Sequence, residues 1–113
     1  MSANKICGYA GRILRVDLTS ESITEETWDE PALRKWVGGV GLGAKILYDE
    51  VPPEVAWNDP ENRLIAASGP LGGTRMGGSG TICLNTKGCL TNGEHIIVLQ
   101  HVIMHFAQVL VRK

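Results

Sequence analysis

The stretch Gly11-Arg-Ile-Leu-Arg-Val-Asp-Leu18, continued by TSESITEETW to residue 28 and DEPALRKWVGG to residue 39, decides the fold class. From 11 to 18 the side chains alternate. Ile13, Arg15 and Asp17 face one way, and Leu14, Val16 and Leu18 the other, which is the period of a strand. Thr19-Ser20-Glu21-Ser22 is a polar turn, and Ile23 to Trp28 reads as the return strand of a hairpin. A lone hairpin is marginal in water, so this pair is expected to join a larger sheet. Then the signal changes. Asp29 can cap a helix and Pro31 suits its first turn. That helix is expected to run to about Val37 and to stop at Gly38-Gly39.

Outward from this stretch, Leu42, Ile46 and Leu47 recur at helical spacing, which predicts a second helix over about Gly41 to Asp49. Val51-Pro52-Pro53 ends it, because proline disfavours helix in the residue before it. Residues 52–62 form a loop rich in turn formers. Arg63 to Ser68 and Thr81 to Thr86 read as short strands, joined by a glycine-rich loop at 69–80, and Lys87-Gly88-Cys89 breaks the second. Strand, strand, helix, helix, strand, strand is an α+β order, with a mainly antiparallel sheet around the loop. The last twenty residues carry mixed signals. Seven of them are β-branched, which favours strand. Yet His101, His105, Gln108 and Arg112 fall at i, i+4, i+7 and i+11, one stripe of a helix. Helix is the expectation, and 94–113 is read as an amphipathic tail to a domain spanning 1–93.

A chain of 113 residues holds one domain and buries about 65% of its unfolded surface. Its net charge of −1 gives no field for generic binding to nucleic acid or to a membrane surface. The apolar run from Ile96 to Val111 is short for a membrane span and contains Gln100, His101, His105 and Gln108. Three cysteines without a CxxC pair do not make a disulfide scaffold. With no apolar signal core at the N-terminus, they point to a reducing, cytoplasmic setting.

Glycine is the unusual component. Of 14 glycines, 10 lie in two clusters, Gly38 to Gly43 and Gly69 to Gly80. Gly39-Val-Gly-Leu-Gly-Ala44 matches the dinucleotide pattern G-x-G-x-x-G/A, but that pattern must follow a strand, and PALRKWV before it looks helical. A turn between two helices is the better reading. The second cluster lacks the Gly-Lys-Ser/Thr ending of a Walker loop. Six glycines in twelve residues nevertheless exceed the needs of a hairpin. Exposed backbone N–H groups there can hold an anion, with Arg75 inside the loop and Lys87 beyond it adding charge. His101 and His105 have a metal-ligating spacing but no evident third ligand. Cys83 reads as core, and neither it nor Cys89 has a nearby histidine in sequence to serve as base. Trp28, Trp36 and Trp57 read as packing anchors.

Several stretches, in order, resemble the N-terminus of the tungsten-dependent aldehyde:ferredoxin oxidoreductases. They are GRILRVDL at 11–18, WVGGVGL at 36–42, DPENRLIAASGPL at 59–71 and TKGCLT at 86–91. The wording GGVGLGAKILYDEVPP at 38–53 also resembles the branch that includes the catalytic subunit of benzoyl-CoA reductases. The resemblance implies aldehyde oxidation to carboxylate on tungsten or molybdenum held by two pterin dithiolenes. Electrons would pass through a [4Fe–4S] cluster to ferredoxin. It further implies that the N-terminal domain is a β-sheet base under the pterins, with the glycine-rich loop and the next strand as cofactor contacts. The expected cofactor-binding residues are Arg75, Gly77, Gly78, Ser79, Gly80, Thr81 and Lys87. No catalytic residue or metal ligand is expected in this chain.

Two departures stand out. The family commonly has an arginine where Thr81 stands, and residues from 94 onward do not look like the family's small-residue stretch. The cluster-binding cysteines and catalytic domains of family members have no counterpart here. The chain is therefore expected to be a truncated piece of a larger enzyme, inactive alone. The alternative is a free-standing, non-catalytic module whose tail covers the sheet or makes a homodimer.

Overall fold

The computed structural model describes residues 7–72, 74–77, 79–90, 94–100 and 109–112. Six strands and two helices follow in the order β1 (Ile13–Asp17), β2 (Ser22–Glu26), α1 (Glu30–Trp36), α2 (Gly39–Glu50), β3 (Leu64–Ala67), β4 (Thr81–Lys87), β5 (Glu94–Gln100) and β6 (Val109–Arg112). The expected α+β order holds through β4. The strands form one sheet in the order β2-β1-β6-β3-β4-β5. Among the described strands only the β1–β6 pair is parallel.

Each early element forms for a local reason. The Asp17 carboxylate accepts from the N–H groups of Thr19 and Ser20 and so closes the β1–β2 turn. At the entry of α1, Asp29 accepts from Ala32 N–H at 3.0 Å, the expected cap. α2 stops where Val51 N–H bonds Leu47 O and Pro52 follows. The motif at 39–44 lies wholly inside α2, after the turn that ends α1. The turn between the helices falls just before it, at Val37-Gly38, and the motif forms the first turns of α2, which begins two residues earlier than the expected start at Gly41.

Both helices lie on one face of the sheet. The core there is Ile13, Leu42, Ile46, Leu47, Val51, Val55, Ile65 and Ala67, with Trp28 and Trp36 packed against it. Trp57, read as a third packing anchor, is instead half exposed. α2 crosses β3 and β4. The opposite face carries Leu14, Val16, Leu64, Ala66, Ile82 and Leu84, all half-buried. No described helix covers it.

The tail departs from expectation. Residues 94–100 and 109–112 are strands, not a helix. β5 runs antiparallel along all seven residues of β4, from Thr81↔Gln100 to Lys87↔Glu94. β6 fills the gap between β1 and β3. The β-branched residues decided the outcome, because a continuous apolar run reads equally as a buried helix or a buried strand until a neighbour offers a ladder. Arg112 sits opposite Val16 and Leu64 within that ladder, so the polar stripe is not a helical one at its end. His101, His105 and Gln108 lie outside the described residues. The described parts of the tail, 94–100 and 109–112, thus belong to the same sheet as β1, β3 and β4.

Candidate functional site

The glycine-rich loop at 69–80 links β3 to β4, and much of it is bonded to itself. Gly72 N–H donates to Gly69 O, Thr74 N–H to Leu71 O and Ser79 N–H to Met76 O, all within 3.2 Å. The Thr74 hydroxyl donates to Leu71 O, and the Ser79 hydroxyl to Thr74 O. The loop is therefore a built shape. Arg75 stands exposed in it with no ion pair among the described residues.

Two of its glycines have no internal reason to be glycine. A Cβ added at Gly69 or at Gly77 would meet nothing within 4 Å, and neither has the positive φ that glycine serves. The first cluster is the reverse. Gly39 has a φ of +52°, and a Cβ at Gly38 would sit 2.8 Å from Ser68 O. Among the described residues, nothing crowds a side chain at Gly69 or Gly77.

Arg75, Gly77, Ser79, Gly80 and Thr81 are thus together at the loop and the start of β4. Gly78 lies outside the described residues. Lys87 is not with them. It ends β4, six residues and about 20 Å from Thr81. There its ammonium donates to Pro52 O, Pro53 O and Val55 O at 2.8 to 2.9 Å. All three of its N–H groups hold the loop after α2, a role no sequence signal announced.

A second polar cluster lies near the hairpin. Arg15 pairs with Glu26 and, at 2.6 Å, with Glu50, and Arg63 approaches Glu50 at 3.5 Å. Hydrogen bonding to Glu50 raises the Arg15 pKa still further above its usual range, against the opposing effect of burial. The sign follows from linkage. A raised pKa gives stability at every pH below the unfolded value, lost only as pH climbs through the folded one. Arg15 therefore stays charged throughout the working range. The cluster balances its charges and reads as a strut between α2 and the hairpin.

Sequence reasoning missed Asn85. It is fully buried on β4 under α2, and neither its amide nitrogen nor its oxygen has a partner among the described residues. A polar residue in an otherwise alternating strand was the available signal. Among the described residues no three His, Cys, Asp or Glu side chains gather as a metal site. No described helix is long and apolar enough to cross a membrane.

Comparison with known proteins then decides the family. Residues 13–112 match the model for the aldehyde ferredoxin oxidoreductase N-terminal domain. The chain belongs to the aldehyde ferredoxin oxidoreductase family. The match runs through both tail strands. Among its relatives, the tungsten-containing aldehyde ferredoxin oxidoreductase of Pyrococcus abyssi is 46% identical over 84 residues, 74% of this chain and 14% of the relative. The Pyrococcus furiosus aliphatic sulfonate oxidoreductase, WOR-like subunit, is 43% identical over 68 residues, 58% of this chain and 11% of the relative. In structure, the chain is similar to the active site complex BamBC of benzoyl coenzyme A reductase in complex with 1,5-dienoyl-CoA. The TM-score is 0.88 at 32% identity, over 94% of this chain and 17% of that one. This aldehyde ferredoxin oxidoreductase domain therefore spans about one-seventh of the relatives it matches.

Proposed function

We propose that this chain is the sheet base on which a tungsten- or molybdenum-bis-pterin group rests, with Arg75, Gly77, Gly78, Ser79, Gly80 and Thr81 as its cofactor edge. The observation that carries this is the open space over Gly69 and Gly77, where a side chain would meet nothing among the described residues. When bound, such a group supplies oxidation of aldehyde to carboxylate, with electrons passing through a [4Fe–4S] cluster to ferredoxin. The chain's own residues bind and orient. When such a group is bound, the backbone of Gly77, Ser79 and Gly80 would receive its phosphate and the Arg75 guanidinium would pair with its charge. The Thr81 hydroxyl stands where the family commonly has an arginine, which makes Arg75 the principal cation of this edge. Alone, the chain has no aldehyde oxidation.

The test is a chimera in which residues 13–112 replace the matching segment of the Pyrococcus abyssi relative. It is expected to load tungsten and oxidise aldehydes with a dye acceptor. Gly77→Val is expected to cut metal content about tenfold or more while leaving the thermal midpoint of the 113-residue chain unchanged. Equal loading with valine at 77 refutes the cofactor edge.

A second reading, a non-catalytic module that pairs with a copy of itself, is favoured by one observation. The helix-free face presents Leu14, Val16, Leu64, Ala66, Ile82 and Leu84, and Ile23 beside them is 68% exposed. Light scattering behind size exclusion separates the two. A discrete dimer broken by Val16→Lys supports the module, and a monomer removes it.

A further inference from the structure

Three segments meet at the root of the glycine-rich loop. The first is the N-terminal run Gly8 to Gly11. The Tyr9 hydroxyl donates to Val37 O at 2.6 Å and leans toward Leu33 O at 3.4 Å. The second is the α1–α2 turn. Val37 has φ +64° and ψ −62°, closed by a Gly38 N–H bond to Trp36 O at 2.8 Å. That is the classical γ-turn, rare and strained, and doubly so for a β-branched residue. The third is the loop root itself. Gly39 N–H donates to Ser68 O at 3.1 Å, and Gly8 lies against Pro70, so close that a Cβ would stand 3.0 Å from its carbonyl oxygen.

Positive φ is concentrated at this junction, and at Val37 it is strained. Of the six described residues with positive φ, five belong to it: Gly8, Gly11, Val37, Gly38 and Gly39. Beneath them lies a cavity of 20 Å³ lined by Tyr9, Trp28, Leu33 and Leu42. A strained turn persists only where its surroundings over-determine it. Here the surroundings include the Val37 N–H bond to Leu33 O and the Gly39 N–H bond to Ser68 O, and one side-chain hydroxyl on Val37 O, from a residue 28 positions away in sequence.

We propose that residues 8–11 are a latch: the Tyr9 hydroxyl holds the strained Val37 turn closed and thereby fixes the root of the glycine-rich loop. Tyr9 is in this sense a positioning residue. Val37 O is held by Tyr9, the next two N–H groups are aimed at Trp36 O and Ser68 O, and Ser68 is the last residue before the loop. Releasing the hydroxyl lets the turn relax toward ordinary φ. The Gly39 donor then swings away from Ser68, and the loop root loses its tie to α2. The proposal rests on the cofactor reading only for what the loop would hold, not for the latch itself.

Amide hydrogen exchange on the 113-residue chain, with no cofactor present, tests it. Tyr9→Phe keeps the ring and removes one oxygen. The amides of Gly38, Gly39 and Gly72 are expected to exchange about tenfold faster, while those of β3 and β4 stay within about twofold. In a Val37→Gly background, where the turn is no longer strained, the same Tyr9→Phe change is expected to move Gly38 and Gly39 by less than about twofold. Unchanged exchange at Gly38 and Gly39 in Tyr9→Phe overturns the latch. So does uniform acceleration across β3 and β4, which marks a general loss of stability, and so does an undiminished effect in the Val37→Gly background. Failure of the Gly77→Val test leaves this result standing, and the reverse holds too.

Discussion

Alanine at position 43 is expected to destabilise the chain by at least about 3 kcal/mol, read as the shift of a urea unfolding curve. Helix propensity argues the other way, since glycine inside a helix costs about 1 kcal/mol relative to alanine. Packing outweighs it. A Cβ at 43 would overlap the amide of Asn85, coming within 2.5 Å of its Cγ. Asn85 is 0% exposed and sits in the fourth strand, pinned between β3 and β5, so it has nowhere to retreat. The proof is the rescue. With Asn85→Ala present, Gly43→Ala is expected to recover stability to within about 1 kcal/mol of the parent or above it. Asn85→Ala by itself should cost little, because it deletes two polar atoms that folding strips of water and leaves unpartnered. A Gly43→Ala chain as stable as its parent would show that α2 does not press on β4 in this way.

Ile65→Ala is expected to cost about 2 to 5 kcal/mol, a large share of the roughly 5 to 15 kcal/mol that holds a domain of this size. Ile65 is 0% exposed, in the middle of β3, opposite Asn85 on one side and Val111 on the other. It and Asn85 are neighbours with identical burial, yet the two alanine substitutions are expected to differ by several-fold. One removes apolar contacts and leaves a hole, and the other removes an unpaid desolvation. Equal losses at the two positions in parallel urea titrations would mean that Asn85 has found a partner.

Legibility from sequence follows the range of the interactions involved. The hairpin, both helices, β3 and β4 were readable because each is signalled within its own residues: alternation at 13–17, a cap at Asp29, a proline stop at 52. The tail was not. Whether Glu94 to Arg112 forms helix or strand depends on which edges β1, β3 and β4 leave open, and those edges are assembled from distant parts of the chain. The glycine clusters were told apart in the sequence by their context, a preceding helix for one and flanking strands for the other, and the geometry adds which glycines have crowded neighbours. Gly38, Gly39 and Gly43 answer to neighbours within the chain, whereas Gly69 and Gly77 do not. Lys87 illustrates the opposite error of attraction. A lysine close in sequence to a glycine-rich loop lies at the far end of a strand, tied to three carbonyls of another loop. Tyr9 and Val37 gave no signal, because a positive φ in valine is set by what surrounds it.

The position of β6 has a consequence for how the protein is made. In the hydrogen-bonded ladder of the described strands, β1 and β2 are joined to β3, β4 and β5 through β6, which pairs parallel to β1 and antiparallel to β3. On the ribosome the hairpin emerges early, and its keystone strand about a hundred residues later, so the ladder with the highest contact order is completed last. Until β6 docks, the facing edges of β1 and β3 lack the ladder partner they have in the finished sheet, and unpaired edges invite pairing with other strands.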